Sequence, residues 1–328
     1  MPTLTLDHAE ALVTATLTRC RTDETNAKSV ARALVGAEAE GQMGHGLSRV
    51  PTYAAQAKVG KVDGFAKPSL AWRRSAAAVV DAKHGFAYPA IDLALDELPK
   101  AARANGMAAA AITRSHHCGV VGHPVERLAN EGLLALMFAN TPAAIAPWGG
   151  NKAVFGTNPI AFACPLPGKL PIVVDLSLSK GARGNILVAK QKGEAIPEGW
   201  ALDVAGKPTT DATAALAGTM LPLGDAKGTA LALMVELLAA GLTGANFAAD
   251  ASGFLDAKGP PPGTGQLLIA FDPAAFGGTP DHFALLAASI EAQPGARLPG
   301  VRRLAAREKA KREGVTLTDA LLAEIESL

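Results

Sequence analysis

From Leu70 onward, short apolar runs alternate with helical stretches, and this alternation constrains the fold more than any other feature. AAVVD, MAAAAIT, LLALMFAN and LPIVVDL read as strands, while Tyr88–Asn105 and Val125–Glu131 read as helices between them. That order predicts a mixed α/β layer architecture. The first sixty residues carry a helical period instead. Thr5 is placed to cap a helix with Leu6, Ala9, Leu12 and Val13 on one face, and Asp23 a second with Ala27, Val30, Ala31 and Leu34. GQMGHGLSRVPTY then breaks the pattern with three glycines and a proline. PEGWALDVAGKPTTD is turn-rich and reads as an exposed excursion. The apolar stretch from about Lys227 to Ala240 reads as a buried helix, GPPPGTG as a loop ahead of the strand QLLIAFDP, and Thr318 as the cap of a last helix behind a charged tail. Helices at the two ends and strands between them divide the chain into a helical domain, 1–70 plus 285–328, and an α/β region, 71–284.

Composition excludes several classes. Hydrophobic residues make up 49% of the 328, enough for a sizeable core. With 31 Lys and Arg against 30 Asp and Glu the net charge is +1, and no basic block stands out, so neither a nucleic acid nor an anionic membrane is an expected partner. Cys20, Cys118 and Cys164 are odd in number and far apart, as expected of reduced thiols in a cytoplasmic protein. MPTLTLDHAEALVTATL reads as a capped amphipathic helix instead of a leader. Thr229–Leu242 is interrupted by Glu236 and falls short of the roughly 20 apolar residues that span a bilayer.

Familiar nucleotide signatures are missing. No G-x-G-x-x-G joins a strand to a helix, since Gly263-Thr-Gly265 precedes a strand, and there is no G-x-x-x-x-G-K-[ST] loop. No serine sits in G-x-S-x-G either.

Five constellations remain. His45 lies between Gly44 and Gly46, with Ser48, Arg49 and Tyr53 following. A histidine that protonates a carbonyl oxygen beside an arginine that clamps a carboxylate is what 2-oxo acid reduction requires, although a loop histidine with a surface arginine fits the same spacing. Arg114-Ser-His116-His117-Cys118-Gly119 follows a strand, where α/β proteins place sites; His123 and Glu126 lie near, but the spacing matches no zinc pattern, so no metal is expected. Asn140 to Gly150 and Phe155 to Pro159 form two turns that offer Asn140, Thr157 and Asn158 as polar groups, with Trp148 and Phe155 as packing or water-excluding rings. Asp175 ends an apolar strand, where it can meet a ribose or cap a helix together with Ser177. Gly224-Asp225-Ala226-Lys227-Gly228 opens a helix with free amides and a lysine, a natural phosphate site.

Together HGLSRVPTY, RSHHCG, NTPAAIAPWGG, FGTNPIAFACP, IPEGWALD-VAGKPTTD, KGTALALMVELLAAGLTGA and RLPG resemble, in order and over nearly the whole chain, the malate/L-lactate dehydrogenases that are distinct from the Rossmann-type enzymes. That family includes ureidoglycolate, 2,3-diketogulonate and sulfolactate oxidoreductases and the Δ1-piperideine-2-carboxylate and Δ1-pyrroline-2-carboxylate reductases. The resemblance implies a family-specific, non-Rossmann NAD(P)-binding mixed sheet and hydride transfer between NAD or NADP and C2 of a small carboxylate substrate. It implies two catalytic histidines, His45 as the proton donor and His117 at the junction of cofactor and substrate, which some members use as the proton acceptor. Arg49 would hold the substrate carboxylate, with Thr157, Arg183 and Gly184 as further substrate contacts. The cofactor segments would be His117, Cys118, Gly119, Val120 and Val121; Asp175, Leu176 and Ser177; Lys227 and Gly228; and Leu298, Pro299 and Gly300 after Arg297. The nicotinamide is expected near His117, Asn140 and Asp175. A homodimer with the site near its interface is also implied.

Three positions depart from the family pattern. Gly44 stands where most members carry Ser, Asn185 where the cyclic imino acid reductases carry Asp, and Val301 where the family usually has Glu. A neutral Asn does not raise an imidazole's pKa as a carboxylate does. These changes weigh against the imino acid reading and leave ketone reduction intact. They also motivate a third reading, a dinucleotide-binding protein with a decayed site. Arg114, Lys180 and Arg302 are candidate partners for the 2′-phosphate that separates NADP from NAD.

Overall fold

A computed structural model describes residues 1–328, the side chain of Gln191 excepted. The N-terminal segment pairs β1 (Thr3–Leu4) with β12 (Val315–Thr316), which ties the two ends of the chain together. Helices α1 (Leu6–Arg19), α2 (Glu24–Ala39) and α3 (Val50–Val59) follow, with 3-10 turns at Met43–His45 and Leu47–Arg49 between the last two. Caps set their starts as the sequence predicts: Thr5 accepts from the His8 amide and Asp23 from the Thr25 amide. The last helices, α10 (Val301–Glu313) and α11 (Asp319–Ser327, capped by Thr318), return to this end. Val13, Leu17, Val30, Leu34, Tyr53, Ala310 and Ile325 share one buried core there.

A seven-stranded sheet fills the middle. Its members are β2 (Ser69–Arg74), β3 (Ala77–Asp81), β4 (Met107–Ser115), β5 (Leu134–Ala139), β6 (Ile160–Leu166), β7 (Lys169–Leu176) and β11 (Thr264–Phe271). The order is β2-β3-β4-β11-β5-β6-β7, with β3 and β4 parallel and every other pair antiparallel. β11 thus returns from far along the chain to lie between β4 and β5. This is a mixed sheet, unlike the parallel sheet of a dinucleotide fold built on a glycine fingerprint, and the missing G-x-G-x-x-G agrees with it.

Helices α4 (Ala87–Asn105) and α5 (Gly122–Asn130) cover one face, where Ile91, Leu95, Leu98, Val125 and Leu128 meet the alanine-rich strands. Small side chains at Ala108, Ala110, Ala135, Ala161 and Ala163 let these helices approach closely. The other face carries α6 (Arg183–Lys192), α7 (Ala212–Ala217), α8 (Asp225–Glu236) and a π-helical turn at Leu237–Gly241. α9 (Pro280–Glu291) packs beside β6 through Ala287, next to Leu166 and Leu298.

Within the turn-rich excursion PEGWALDVAGKPTTD, β8 (Ala201–Leu202) and β9 (Pro208–Thr209) pair, and β10 (Thr219–Met220) beyond it completes a small sheet in the order β10-β8-β9. One expectation is not met. The apolar helix at Lys227–Ala240 is buried on one side only. Gly228, Ala232, Val235 and Glu236 face inward, while Leu231, Leu233, Met234 and Leu237 are exposed. Small side chains and a carboxylate face the sheet because Glu236 is needed there. It accepts from the Asn158 and Asn140 amides and from the Ala248 N–H.

Candidate functional site

The 3-10 turn that ends in His45 meets the segment just after β4 that carries His117. His45 and His117 stack with ring centroids 5.2 Å apart and an interplanar angle of 19°. Tyr53 lies on α3, and its hydroxyl is 2.5 Å from His117 Nδ1; the Tyr88 hydroxyl on α4 is 3.2 Å from that of Tyr53. Burial drives the His117 pKa far below the ordinary imidazole range, and the charge of Arg49 lowers it further. Burial, with Arg49 and His123 adding to it, brings His45 down to about 4. Both rings are therefore neutral near pH 7. His45 Nδ1 is buried without a hydrogen-bond partner, and space for a Cβ at Gly44 is open, so nothing at that position supplies one.

Arg49 donates from Nε to the Gly44 carbonyl at 2.6 Å, which folds it back over the histidine turn. Among the described residues no carboxylate lies within ion-pair distance of Arg49 or Arg183. Arg183 is the first residue of α6, with Gly184 next to it, and burial lowers its pKa. Thr157 takes part in a threonine pair, its hydroxyl 3.3 Å from that of Thr141. No hydrogen bond among the described residues links Thr157 or Arg183 to the histidine pair; they belong to the lobe on the other face of the sheet.

Segments expected to hold a dinucleotide converge in two places. His117, Cys118, Gly119, Val120 and Val121 connect β4 to α5. Gly119 is held at φ +65, where a Cβ would stand 2.6 Å from the Tyr88 hydroxyl, so only glycine fits. Asp175 accepts the amide of Gly122, the first residue of α5, at 2.8 Å. Of the two roles open to Asp175, ribose contact and helix cap, its Oδ2 fills the second for α5, whose own N-cap residue Val121 supplies no side-chain bond. Asp175 and Leu176 then share a groove with Arg297, Leu298, Pro299, Gly300, Arg302 and Arg303. The second place is the start of α8. Leu223 donates to the Leu178 carbonyl at 2.8 Å, which ties the turn ahead of Lys227 and Gly228 to the segment after β7. A Cβ at Gly228 would collide with the Leu223 backbone, so this turn also demands glycine.

Asn140 is otherwise engaged. Its amide donates to Glu236 and to the Asn246 carbonyl, its oxygen accepts from Gly265, and it is 1% exposed. Its side chain braces β11 and β5 instead of standing free for a ligand. Ser177 bonds Ser179 at 2.6 Å, and Arg114 pairs with Asp81, which removes that arginine from the candidates for a phosphate. Cys118 is buried and its thiol is pushed up to about 12, so it contributes packing. His123 and Glu126, once weighed as zinc ligands, belong to an ionic cluster with Glu40, Arg303 and Arg307.

The groove suits an anionic dinucleotide on physical grounds. Nη2 of Arg303 is buried without a partner, and the free amides at the start of α10 sit behind Gly300 in the same groove. A neutral histidine pair, an unpaired guanidinium and such a groove together define a nicotinamide-dependent oxidoreductase acting on a carboxylate. Comparison with known proteins narrows the class. Residues 4–326 match the family model for malate/L-lactate dehydrogenase, and the chain belongs to that family. It is 50% identical over 325 residues to the (2R)-3-sulfolactate dehydrogenase (NADP(+)) of Chromohalobacter salexigens, covering 98% of this chain and 96% of that one. It is 41% identical over 329 residues to the Δ1-pyrroline-2-carboxylate/Δ1-piperideine-2-carboxylate reductase of Pseudomonas aeruginosa, covering 99% and 98%. Among solved structures it is similar to Δ1-piperideine-2-carboxylate reductase from Pseudomonas syringae (TM-score 0.92, 36% identity, 100% and 99% covered). It is also similar to sulfolactate dehydrogenase from Methanocaldococcus jannaschii (TM-score 0.90, 30% identity, 99% and 96% covered). The chain is an NAD(P)-dependent dehydrogenase or reductase of the non-Rossmann kind.

Sequence reasoning missed several residues here. Tyr88, Lys61 and Gln56 carried no signal, because each acts through partners far away in sequence. Tyr53 lay in the HGLSRVPTY motif, but nothing in the spacing pointed its hydroxyl at His117.

Proposed function

We propose that the chain interconverts a small 2-hydroxy carboxylate bearing a second anionic group, of the 3-sulfolactate type, and its 2-oxo acid, with NADP(H) preferred. One observation carries this reading: Arg49 and Arg183 are partly buried guanidiniums with no carboxylate partner among the described residues. A guanidinium withdrawn from water without a counter-charge is costly, and a bidentate anion relieves that cost. Two of them suit a dianion. Arg49 takes the carboxylate; Thr157, Arg183 and Gly184 receive the other end.

Bound NADP(H) supplies or accepts the hydride at C4 of its nicotinamide. The protein's part is positioning and proton handling. His117 to Val121, the surroundings of Asn140, Asp175 to Ser177, Lys227 with Gly228, and Leu298 to Gly300 frame the cofactor. Arg297, Arg302 and Arg303 give the groove beside Asp175 a positive rim that favours a 2′-phosphate. In the oxidative direction neutral His45 accepts the hydroxyl proton. In the reductive direction the substrate anion offsets Arg49, which raises His45 and readies it to donate.

The cyclic imine reading draws on the reductase relatives, but Gly44 leaves His45 Nδ1 without a partner and Asn185 is neutral. A panel followed at the nicotinamide absorbance separates the two, with NADPH or NADH against sulfopyruvate, oxaloacetate, pyruvate, 2,3-diketogulonate and Δ1-piperideine-2-carboxylate. A rate with sulfopyruvate and NADPH at least tenfold above the others supports the proposal. A rate with the cyclic imine alone overturns it, and silence from folded, dinucleotide-binding protein favours the decayed site.

A cytoplasmic homodimer completes the proposal. The outward face of α8 and its continuation, with Leu233, Met234, Leu237, Leu242 and Phe247 exposed, suits a second copy. Sedimentation of Leu237→Asp as monomer, with the parent a dimer, is the expected outcome.

A further inference from the structure

Lys61 follows α3, and its side chain is wholly buried. A lysine is rarely buried unless all three of its N–H groups are taken. Here Nζ donates to the carbonyls of Gly253 at 2.6 Å, Asp256 at 3.0 Å and Lys258 at 2.5 Å. Asp256 Oδ1, 3.5 Å away, supplies the opposite charge. Gln56 on α3 is also fully buried, and its amide donates to the carbonyls of Phe254 at 3.1 Å and Asp256 at 2.8 Å. Five bonds from two side chains thus fasten one turn that has no regular secondary structure. Leu255 and Asp256 in this turn are exposed, but Phe254 points inward, its ring centroid 5.1 Å from that of His117 and 5.4 Å from that of His116.

We propose that Lys61 is a positioning residue for the hydride-transfer site. Its ammonium holds the Gly253–Lys258 turn so that Phe254 roofs His117 and keeps water from that imidazole. The proposal rests on reading His117 as part of the site. One helix then controls this ring twice. Tyr53 on α3 meets its Nδ1, and Gln56 with Lys61 closes its face through Phe254. The charged and titratable groups around His117 are His45, Arg49, Tyr53 and His116, with Lys61 acting on His116 from the turn side. None of them is a carboxylate, so exclusion of water is what keeps the ring neutral.

Lys61→Met in the full chain is the test, with three readouts. Amide hydrogen exchange across 253–258 should quicken at least tenfold while β4 keeps its protection. In a 15N titration, the His117 pKa should lie well below the ordinary imidazole range in the parent and move up toward it in the variant. Turnover should fall about tenfold with the Kd for NADPH changed less than twofold. Unchanged exchange and an unchanged His117 titration would overturn the proposal. Should Lys61→Met not fold, Phe254→Ala removes the roof, keeps the pin and changes no charge. It should raise the His117 pKa while exchange of the turn stays slow, and an unmoved titration overturns the proposal. Exchange and titration need no turnover, so failure of the substrate assignment alone leaves both readable.

Discussion

Two pairs of arginines in this molecule are handled in opposite ways. Arg303 and Arg307 on α10 are both met by carboxylates, and of their buried nitrogens only Nη2 of Arg303 is left over, toward the groove beside Asp175. They bond Glu40 at the C-terminal cap of α2 and Glu126 on α5, while His123 adds a bond to Glu40 at 2.9 Å. Burial pushes Glu40 up, yet His123, Arg303 and Arg307 together outweigh it and hold the carboxyl at about 2. Arg49 and Arg183 have no carboxylate partner among the described residues, and beside Arg49 stands a histidine with a buried bare nitrogen. The first pair fastens the C-terminal helix to the core. On the proposed reading the second stores binding capacity that an incoming anion completes, so that charges answered within the chain mark architecture and charges left open mark the substrate site.

Substitutions can break this contrast, and the largest effect belongs to the open pair. Arg49→Met should lower kcat/KM by about a thousandfold, near 4 kcal/mol of transition-state stabilisation, while thermal stability stays level or rises. Steady-state kinetics and a melting curve check both halves. In the answered pair the balance reverses. Arg307→Met should reduce unfolding free energy by about 3 kcal/mol, because Glu40 and Glu126 lose a shared partner inside the fold, with kcat of the folded enzyme nearly unchanged. Denaturant titration reads that difference.

Acid sharpens the same comparison. His116 is 1% exposed, boxed by Tyr53, Phe86 and Phe254, and neither ring nitrogen has a partner. Burial, then Lys61 and Arg49, lower it to about 3. A histidine with a depressed folded pKa contributes stability above its unfolded value, which is lost as pH falls from 6.5 toward 3. Glu40 has the same sign in a lower window, from 4.5 to about 2. Unfolding should therefore ease first through the buried histidines His116, His117 and His45, and only at lower pH through Glu40. His116→Phe should recover about 2 kcal/mol of stability at pH 4.5 relative to its value at pH 8, measured by denaturant titration at each pH.

Local features of the fold were legible in the sequence. Thr5, Asp23 and Thr318 cap their helices because a cap is decided within four residues. His45 and His117 were legible as candidates because unusual neighbours surround each in sequence, but their stacking was not. Long-range placement was hidden: nothing local in QLLIAFDP says that it inserts between β4 and β5. The tail after Pro299 read only as charged, and nothing local shows that Arg303 and Arg307 turn inward to carboxylates more than 170 residues away. α8 misled in the other direction. Apolar composition suggested burial, but Glu236 takes the inner face and the large leucines stay outside.

The central claim is that His45 exchanges the substrate proton as a neutral imidazole held low by burial and by Arg49. The pH dependence of kcat/KM for NADP+-linked oxidation of 3-sulfolactate reports the base of the free enzyme. Read in brief pH jumps, the parent should stay level from neutral to pH 5 and fall with an inflection at about 4. His45→Ala should lie about a thousandfold lower with no such inflection. A parent inflection near 6.5, or an alanine variant that keeps the parent rate, would contradict the account.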